Sequence, residues 1–415
     1  MRTSRSIPEA GIGRRSFVSG LIGAGVAVPL AAGSLTTDPV EAHTLASADE
    51  SYSFHGMHQQ GILNAPAPRA AFVSFDATAV GRQELAELFR AITERARFLT
   101  RGGLPAASGI SGPPTDSGVL GPEVVPDGLR VTASVGASLF DDRYGLAMAR
   151  PKRLRVMEDF ADDALRRDTC DGDILLQISA NHSDTVTHAL RDIARATRGG
   201  MQVRWRSDGF VSPSRPSGTP RNLMGFKDGS ANPDVRNVGE MRDLVWAKTD
   251  GSEPAWAAGG SYHVVRLIRM LVEFWDRVAL REQENMIGRT RDTGAPLSGT
   301  RETDAPDYSN DPNGESIALG SHIRLANPRT AKTAAQRMLR RAYNYDSGMD
   351  SNGNLDMGLI FTTFNQDLER QFVTVQKRLA EEALADYISP YGGGYFFALP
   401  GVRNESDWFA RALLS

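Results

Sequence analysis

Cysteine is almost missing from this chain of 415 residues, which has only Cys170. An internal disulfide and a cluster of thiolate ligands each need at least two cysteines, so both are excluded. Cys170 itself is predicted to be a small, buried or unreactive side chain. An excess of charge of one sign is also missing, since 47 Lys and Arg face 50 Asp and Glu. We therefore expect no nucleic-acid partner and no attraction to an anionic membrane surface.

The first 48 residues have the pattern of an export signal. Arg14 and Arg15 precede an apolar stretch rich in Gly and Ala, residues 21–32, which is modest for a membrane span. The paired arginines indicate the twin-arginine export machinery. A fraying basic tail would explain the arginines but not the apolar run. We expect a signal peptide at 1–48, cleaved between 33 and 48, and a periplasmic or extracellular protein. That route carries folded proteins, which hints at a cofactor inserted before export.

The mature chain shows one order of secondary structure twice. In the first half, hydrophobic spacing predicts strand, helix, two strands, helix and strand, the order of a ferredoxin-like module. The second half repeats this rhythm around a long irregular segment, 288–345, of a kind that is usually functional or disordered. We predict an α+β fold of two tandem ferredoxin-like modules, 49–220 and 221–415, joined at the Pro- and Ser-rich stretch 208–220. The predicted strands are 69–76, 129–135, 173–179, 201–207, 262–270, 355–364 and 394–399; the predicted helices are 82–99, 184–198, a stretch through Phe274, Trp275 and Leu280, and 367–384.

Two segments of the second half carry residues suited to a ligand site. Residues 225–233, GFKDGSANP, read as a turn when taken alone, although their glycines would let backbone approach a flat ligand closely. Residues 321–329, SHIRLANPR, contain His322. A lone histidine is more often structural, but this one lies in the irregular segment near several arginines. Haem needs an axial nitrogen ligand and cations for two propionates, and this stretch offers both.

A third segment, MLRRAYNY at 338–345, contains adjacent arginines. If it were helical, Arg340 and Arg341 would point to different faces, so at most one would reach a buried site. A solvated basic face is the simplest interpretation of this segment alone.

Together these three segments resemble the dye-decolorizing peroxidase family. GFKDGSANP matches the GxxDG signature, SHIRLANPR the proximal-histidine segment, and MLRRAYNY the distal-arginine segment. Supporting matches at 54–62, 259–270 and 392–402 extend the resemblance over nearly the whole mature chain. The chain is most similar to the exported bacterial subgroup of iron-transport-linked peroxidases, also called deferrochelatases.

The resemblance implies a cofactor and a set of site residues. One haem b per chain would lie in the C-terminal module, with His322 as the proximal ligand of the iron. Asp228 would be the distal acid–base residue and Arg340 the distal cation, with Arg341 as the alternative. The further haem contacts that it implies are Gly229, Ser230, Ala231, Asn327, Pro328 and Arg329.

The implied reaction uses hydrogen peroxide to oxidise a small phenolic or dye-like reductant. An aspartate can shuttle a proton between the two peroxide oxygens, and an arginine can stabilise the charge on the leaving oxygen. Because aspartate ordinarily ionises near pH ~3.9 and histidine near ~6.5, we expect an acidic optimum. Asp356 is a candidate carboxylate partner for the other nitrogen of His322, although an exposed strand end explains it equally well.

Other functions stay open at this level. The protein could release iron from haem during iron uptake, with partner proteins of that pathway, or carry haem without turnover; a homo-oligomer is compatible with each. Asp228 and Arg340 favour the enzyme over simple carriage, whereas nothing separates peroxidase from iron release. Because buried haem is out of reach of bulky dyes, electrons could leave through aromatic side chains, which are more often core residues. The candidates are Tyr343, Tyr345, Trp275 and Trp408.

Overall fold

The computed structural model describes residues 49–248, 250–380 and 382–415, so the predicted signal peptide lies outside the described residues. These residues contain nine strands and eight α-helices. The strands are β1 (Arg69–Ala77), β2 (Arg130–Gly136), β3 (Ile174–Ala180), β4 (Met201–Phe210), β5 (Ser261–Met270), β6 (Leu339–Arg340), β7 (Tyr343–Met349), β8 (Leu355–Asn365) and β9 (Ile388–Ala398). The helices are α1 (Arg82–Arg101), α2 (Ser183–Ala196), α3 (Val238–Leu244), α4 (Val272–Trp275), α5 (Leu280–Ile287), α6 (His322–Ala326), α7 (Thr374–Leu379) and α8 (Arg411–Leu414).

The first module has the strand order β2-β3-β1-β4, with every pair antiparallel. Helices α1 and α2 lie against each other and contact this sheet. Helix α1 buries Leu85, Phe89, Ile92 and Ala96, whose spacing of three or four residues places them on one helix face. The local pattern of apolar residues therefore produces the split βαβ arrangement that the sequence predicts.

The second module repeats that arrangement with the strand order β9-β5-β8-β7. Its sheet is joined to the first at both edges: Ser134 in β2 pairs with Ala398 in β9, and Phe210 in β4 pairs with Asn344 in β7. The strands thereby form a continuous hydrogen-bonded ring. One core cluster draws its side chains from both modules, among them Phe72, Trp205, Val265, Tyr345 and Phe396. The predicted α+β fold of two ferredoxin-like modules is confirmed.

Several elements of the second module differ from the prediction. The predicted helix 367–384 is a π-helical turn (Glu369–Val373) followed by α7, which ends where Ala380 adopts an extended backbone conformation. The stretch through Phe274 and Leu280 is two short helices, α4 and α5. Within the described part of the chain, no helix combines the length and apolar character needed to cross a bilayer.

Strand β9 also begins six residues before its predicted start at 394. Its middle contains Gly392, Gly393 and Gly394, a composition more typical of a loop. A Cβ at Gly393 would lie 2.1 Å from the backbone oxygen of Val265, so β9 approaches β5 too closely for any other residue. Strand pairing, rather than local propensity, decides the conformation here.

Candidate active site

One cavity in the second module gathers most of the residues singled out by the sequence. It encloses about 1680 Å³ of space free of protein atoms, counting the part open to solvent. Its apolar wall includes Ile268 from β5, Leu359 from β8 and Ile388 from β9. Pro328 is not among its lining residues. The predicted site residues that do line it are Asp228, Gly229, Ser230, Ala231, His322, Asn327, Arg329 and Arg340.

His322 is the first residue of α6 and lines the cavity, and a carboxylate contacts one nitrogen of its imidazole. Its Nδ1 lies 2.8 Å from Oε2 of Glu382. Because an ionised carboxylate can only accept, Nδ1 is the protonated nitrogen and Nε2 keeps its lone pair. Burial opposes a charge on the imidazole, but the Glu382 carboxylate outweighs that effect and raises the pKa of His322 above its ordinary value.

Of the two interpretations of Asp356, its candidacy as the partner of His322 is wrong, because Glu382 occupies that position. Asp356 lies near the start of β8, where its charge acts on Arg269, Tyr345 and Tyr391 instead. Glu382 is 60 residues from His322 in sequence. It follows α7 in a stretch that hydrophobic spacing assigns to a longer helix, so no local signal pointed to it. Only the packing of α7 against α6 brings it there.

Asp228 and Arg340 form the second feature of the cavity. Oδ1 of Asp228 lies 3.4 Å from Nη1 of Arg340. Asn232 joins the two segments, since its Nδ2 donates to the backbone oxygen of Arg340 at 3.0 Å and its Oδ1 accepts from the backbone amide of Arg340 at 3.1 Å. Gly229 has a φ of +106°, a conformation that L side chains rarely adopt and that the turn after Asp228 requires. The GxxDG segment is therefore both a turn and part of the site.

Arg340, rather than Arg341, faces this cavity. The two residues lie in or beside the short strand β6, not on a helix, and neighbouring side chains of an extended segment point in opposite directions. The Arg341 guanidinium is buried and donates to the backbone oxygens of Ile62 at 3.0 Å and Leu63 at 2.8 Å. Its desolvation lowers the pKa of Arg341 to about 10. Arg341 thus ties the N-terminal segment to the second module.

Arg289 is a cavity residue that the sequence did not single out. It is buried, and its Nη1 donates to the backbone oxygens of Gly294 at 2.6 Å and Glu302 at 3.0 Å. Burial and the nearby charges of Arg329 and Arg340 lower the pKa of Arg289. The guanidiniums of Arg289, Arg329 and Arg340 repel one another in a partly desolvated cavity. Such a cavity favours an anionic ligand.

A second cavity, of about 920 Å³ including its open part, meets the first at the same pair of residues. It lies along the seam of β4 and β7, and its wall includes Ser212, Thr219 and Asn344. Asp228 and Arg340 line both cavities. The carboxylate–guanidinium pair can therefore be reached from two sides.

The aromatic candidates differ in their surroundings. Tyr343 and Tyr345 are buried in the core cluster shared by the modules. Trp275 is buried too, with its ring centroid 6.1 Å from that of Phe226, which lines the first cavity. Trp408 is half-buried, with the Arg90 guanidinium 4.5 Å from its ring centroid. Cys170 is buried as predicted, and burial raises the pKa of its thiol to about 11.

The fold and the cavity define a class of protein. An imidazole backed by a carboxylate, an apolar wall and a cluster of guanidiniums fit haem, which needs an axial nitrogen, apolar contacts and cations for its propionates. The models of the Dyp-type peroxidase N-terminal and C-terminal domains match residues 59–211 and 219–403. The chain belongs to the Dyp-type peroxidase family. It is accordingly an oxidoreductase of the haem peroxidase class, with haem as its cofactor.

Individual relatives agree with this assignment. The deferrochelatase of Escherichia coli (strain K12) is 52% identical over 371 residues, 88% of either chain, and that of Shigella flexneri is 48% identical over 406 residues, 97% of this chain and 96% of that protein. Among solved structures, a DyP-type peroxidase of Streptomyces coelicolor has a TM-score of 0.81 at 36% identity, covering 89% of this chain and 99% of that one. Ferric DtpA of Streptomyces lividans has a TM-score of 0.80 at 36% identity, covering 89% and 98%.

Proposed function

We propose that this protein uses hydrogen peroxide to oxidise small phenolic or dye-like reductants, with Asp228 as the distal acid–base residue. The observation that carries this proposal is the approach of Asp228 to Arg340, at 3.4 Å, in the cavity that His322 also lines. A protein that only carried haem would not need such a pair.

The residues that would hold haem follow from their chemistry. His322 would bind the iron through Nε2, because Nδ1 is engaged by Glu382. Arg289 and Arg329 would meet the propionates, the segment Gly229–Ala231 would pass over one face of the ring, and Asn327 would contact the porphyrin or its propionates, whereas Pro328 lies outside the cavity lining. When bound, haem supplies the redox chemistry by which peroxide is reduced.

The chain itself supplies the proton transfers and the electrostatic support. Asp228 takes a proton from one oxygen of hydrogen peroxide and delivers it to the other, which leaves as water. Arg340 stabilises the negative charge that develops on the departing oxygen, with donors already in place before the reaction. Glu382 orients the His322 imidazole and increases its basicity as a ligand.

Spectra and rates of single variants test this proposal. The purified protein supplied with haem should show a Soret band that His322→Ala loses. Asp228→Asn should lower kcat/KM for peroxide by about 10²–10⁴-fold and abolish the acidic optimum. Asp356→Asn is the matched control, since it changes a carboxylate of the same module outside the cavity lining. A pH optimum near neutrality that is unchanged in Asp228→Asn would contradict the role of Asp228.

Iron release from haem is the second candidate function, because relatives at 52% identity bear the name deferrochelatase. We propose to incubate the protein with haem, with and without peroxide, and to measure metal-free porphyrin by its fluorescence. Porphyrin formed in amounts matching the iron released would favour this function, and partners in iron uptake with it. If haem stays intact while the reductant is oxidised, the protein has peroxidase activity and does not release iron from haem.

We also propose export and a domain division. Residues 1–48 would be a twin-arginine signal peptide, and 49–220 and 221–415 the two modules. Replacing Arg14 and Arg15 by lysine should retain the protein, with its signal, in the cytoplasm, as fractionation would measure. Normal export of that double variant would rule out the twin-arginine route.

A further inference from the structure

A largely buried ion pair adjoins the loop that carries Asp228. The side chains of Lys227 and Glu302 are 5% and 14% exposed, and the Lys227 ammonium donates to the Glu302 carboxylate. The same carboxylate accepts from Ser230 Oγ at 2.8 Å and from Thr219, through its amide at 3.1 Å and its hydroxyl at 2.5 Å. One carboxylate thus fixes residues on both sides of Asp228.

The surrounding backbone leaves just enough room for this pair. A Cβ at Gly218 would lie 2.0 Å from Oε2 of Glu302, and one at Gly294 would lie 2.6 Å from Cδ of Lys227. Both glycines have positive φ, +81° and +74°, so a side chain at either position would also strain the backbone. The pair is therefore enclosed, unlike a surface salt bridge that can rearrange freely.

The other end of the loop is fixed to the distal cation. Asn232 makes its two hydrogen bonds to the backbone of Arg340, and the backbone oxygen of Glu302 accepts from Arg289, which lines the cavity. Asp228 is held between these attachments. Besides its own contact with Arg340, its carboxylate is placed by the contacts that its neighbours make.

We propose that Glu302 is a positioning residue for Asp228: by holding Lys227 and Ser230, it keeps the Asp228 carboxylate beside the Arg340 guanidinium. It also balances the charge of Lys227, which would otherwise draw Asp228 away from Arg340. Glu302 reaches no reacting atom, so it is not itself catalytic. The inference rests on the proposed role of Asp228 in the peroxide reaction.

The first measurement needs no haem. In haem-free protein, Glu302→Gln should speed amide hydrogen exchange in the peptide covering 225–233 by about tenfold or more, because the loop loses a charged attachment. Glu253→Gln is the matched control. The Glu253 side chain is 3% exposed and accepts from Tyr262 Oη at 2.6 Å and from the Lys152 amide at 2.8 Å, outside the cavity lining. It should leave exchange at 225–233 unchanged.

The second measurement uses the haem-loaded enzyme. Glu302→Gln should slow cyanide binding and lower kcat/KM for peroxide by about 10–100-fold, since a displaced catalytic group loses rate steeply. Lys227→Gln combined with Glu302→Gln, which removes both charges of the pair, should recover part of the lost kcat/KM, because no uncompensated Lys227 cation then remains beside Asp228.

The outcomes separate this inference from the proposed function. Unchanged exchange, cyanide binding and peroxide kcat/KM in Glu302→Gln, with a loss of thermal stability like that of Glu253→Gln, would overturn it. If Glu302→Gln does not fold, Thr219→Val can replace it, because this variant removes one hydrogen-bond donor to Glu302. It should change the exchange, the cyanide binding and the peroxide kcat/KM in the same direction but by less. No change in any of them would again overturn the inference. Full peroxide activity in Asp228→Asn would reject the proposed function, whatever the loop exchange shows.

Discussion

Two glutamates near the cavity make different contacts. Glu302 accepts from three side chains and one backbone amide, whereas Glu382 meets His322 Nδ1. The sequence singled out neither of them. Asp228, His322 and Arg340 stand in motifs that can be recognised, but a supporting carboxylate can come from any segment that packs nearby. Its position is decided by tertiary contacts.

The carboxylate of Glu382 should strengthen haem binding. Glu382→Gln keeps a hydrogen-bond acceptor but removes the negative charge that makes the His322 imidazole more basic. We expect haem to be held about 10–100-fold less tightly. Haem transfer to an apoprotein acceptor measures this loss. Asp356→Asn is the control, and an equal loss in that variant would refute the pairing of Glu382 with His322.

Glu302 should stabilise the protein in a defined pH range. Burial disfavours its charge, but hydrogen bonds from Lys227, Thr219 and Ser230 outweigh burial and lower the pKa of Glu302 from 4.5 to about 2. A lowered pKa contributes stability that is complete above pH 4.5 and is lost as the pH falls towards about 2. The contribution is about 3 kcal/mol at most.

Urea unfolding at several pH values measures this contribution. The stability difference between the natural protein and Glu302→Gln should be constant above pH 4.5 and shrink as the pH approaches about 2. A difference that persists undiminished at the acid end would show that Glu302 stabilises the fold by shape rather than by charge.

At the scale of elements, the two modules differ in how well the local spacing of hydrophobic residues predicts the bounds of helices and strands. Helices α1 and α2 and strands β1 to β4 lie near their predicted bounds, because each has clear hydrophobic spacing. In the second module, the arginine segment is extended rather than helical, α7 is short, and β9 runs through three glycines. These are the elements around the cavity, where contacts with other segments override local propensity.

The glycine in the middle of β9 offers a test. Gly393→Ala should destabilise the protein by at least about 2 kcal/mol, because its φ is +104° and its Cβ would meet the Val265 oxygen. Gly145→Ala is the matched control, with a φ of +65° but nothing within 4 Å of its Cβ, so it carries the backbone strain alone. Urea unfolding compares the two. Equal losses would mean that the approach of β9 to β5 is not what requires glycine.

At the scale of the whole molecule, the two modules share strand pairing and core. Both edges of the first sheet pair with the second, and the core cluster around Phe72 and Tyr345 contains side chains from each. Neither module can leave the other without exposing unpaired strand edges and apolar surface. The proposed division at residue 220 would therefore be a boundary in chain order and not between two independently stable units.

Cooperative unfolding should follow from this shared core. We expect residues 49–415 to unfold in one thermal transition, with far-UV circular dichroism and Trp fluorescence changing together. Residues 221–415 expressed alone should be insoluble or loosely packed. Two separated transitions, or a stable isolated second module, would contradict the coupling of the modules.

The sequence by itself determined the α+β class, the repeated order of elements and the three motifs that bring His322, Asp228 and Arg340 to notice. Those features are local, because hydrophobic spacing and short motifs act over a few residues. Only the tertiary structure decided that Glu382 contacts His322, that the Arg341 guanidinium donates to Ile62, and that Arg289 lines the first cavity and donates to the backbone of Glu302. These residues come from segments that are far apart in sequence, so only tertiary packing brings each of them to its partner.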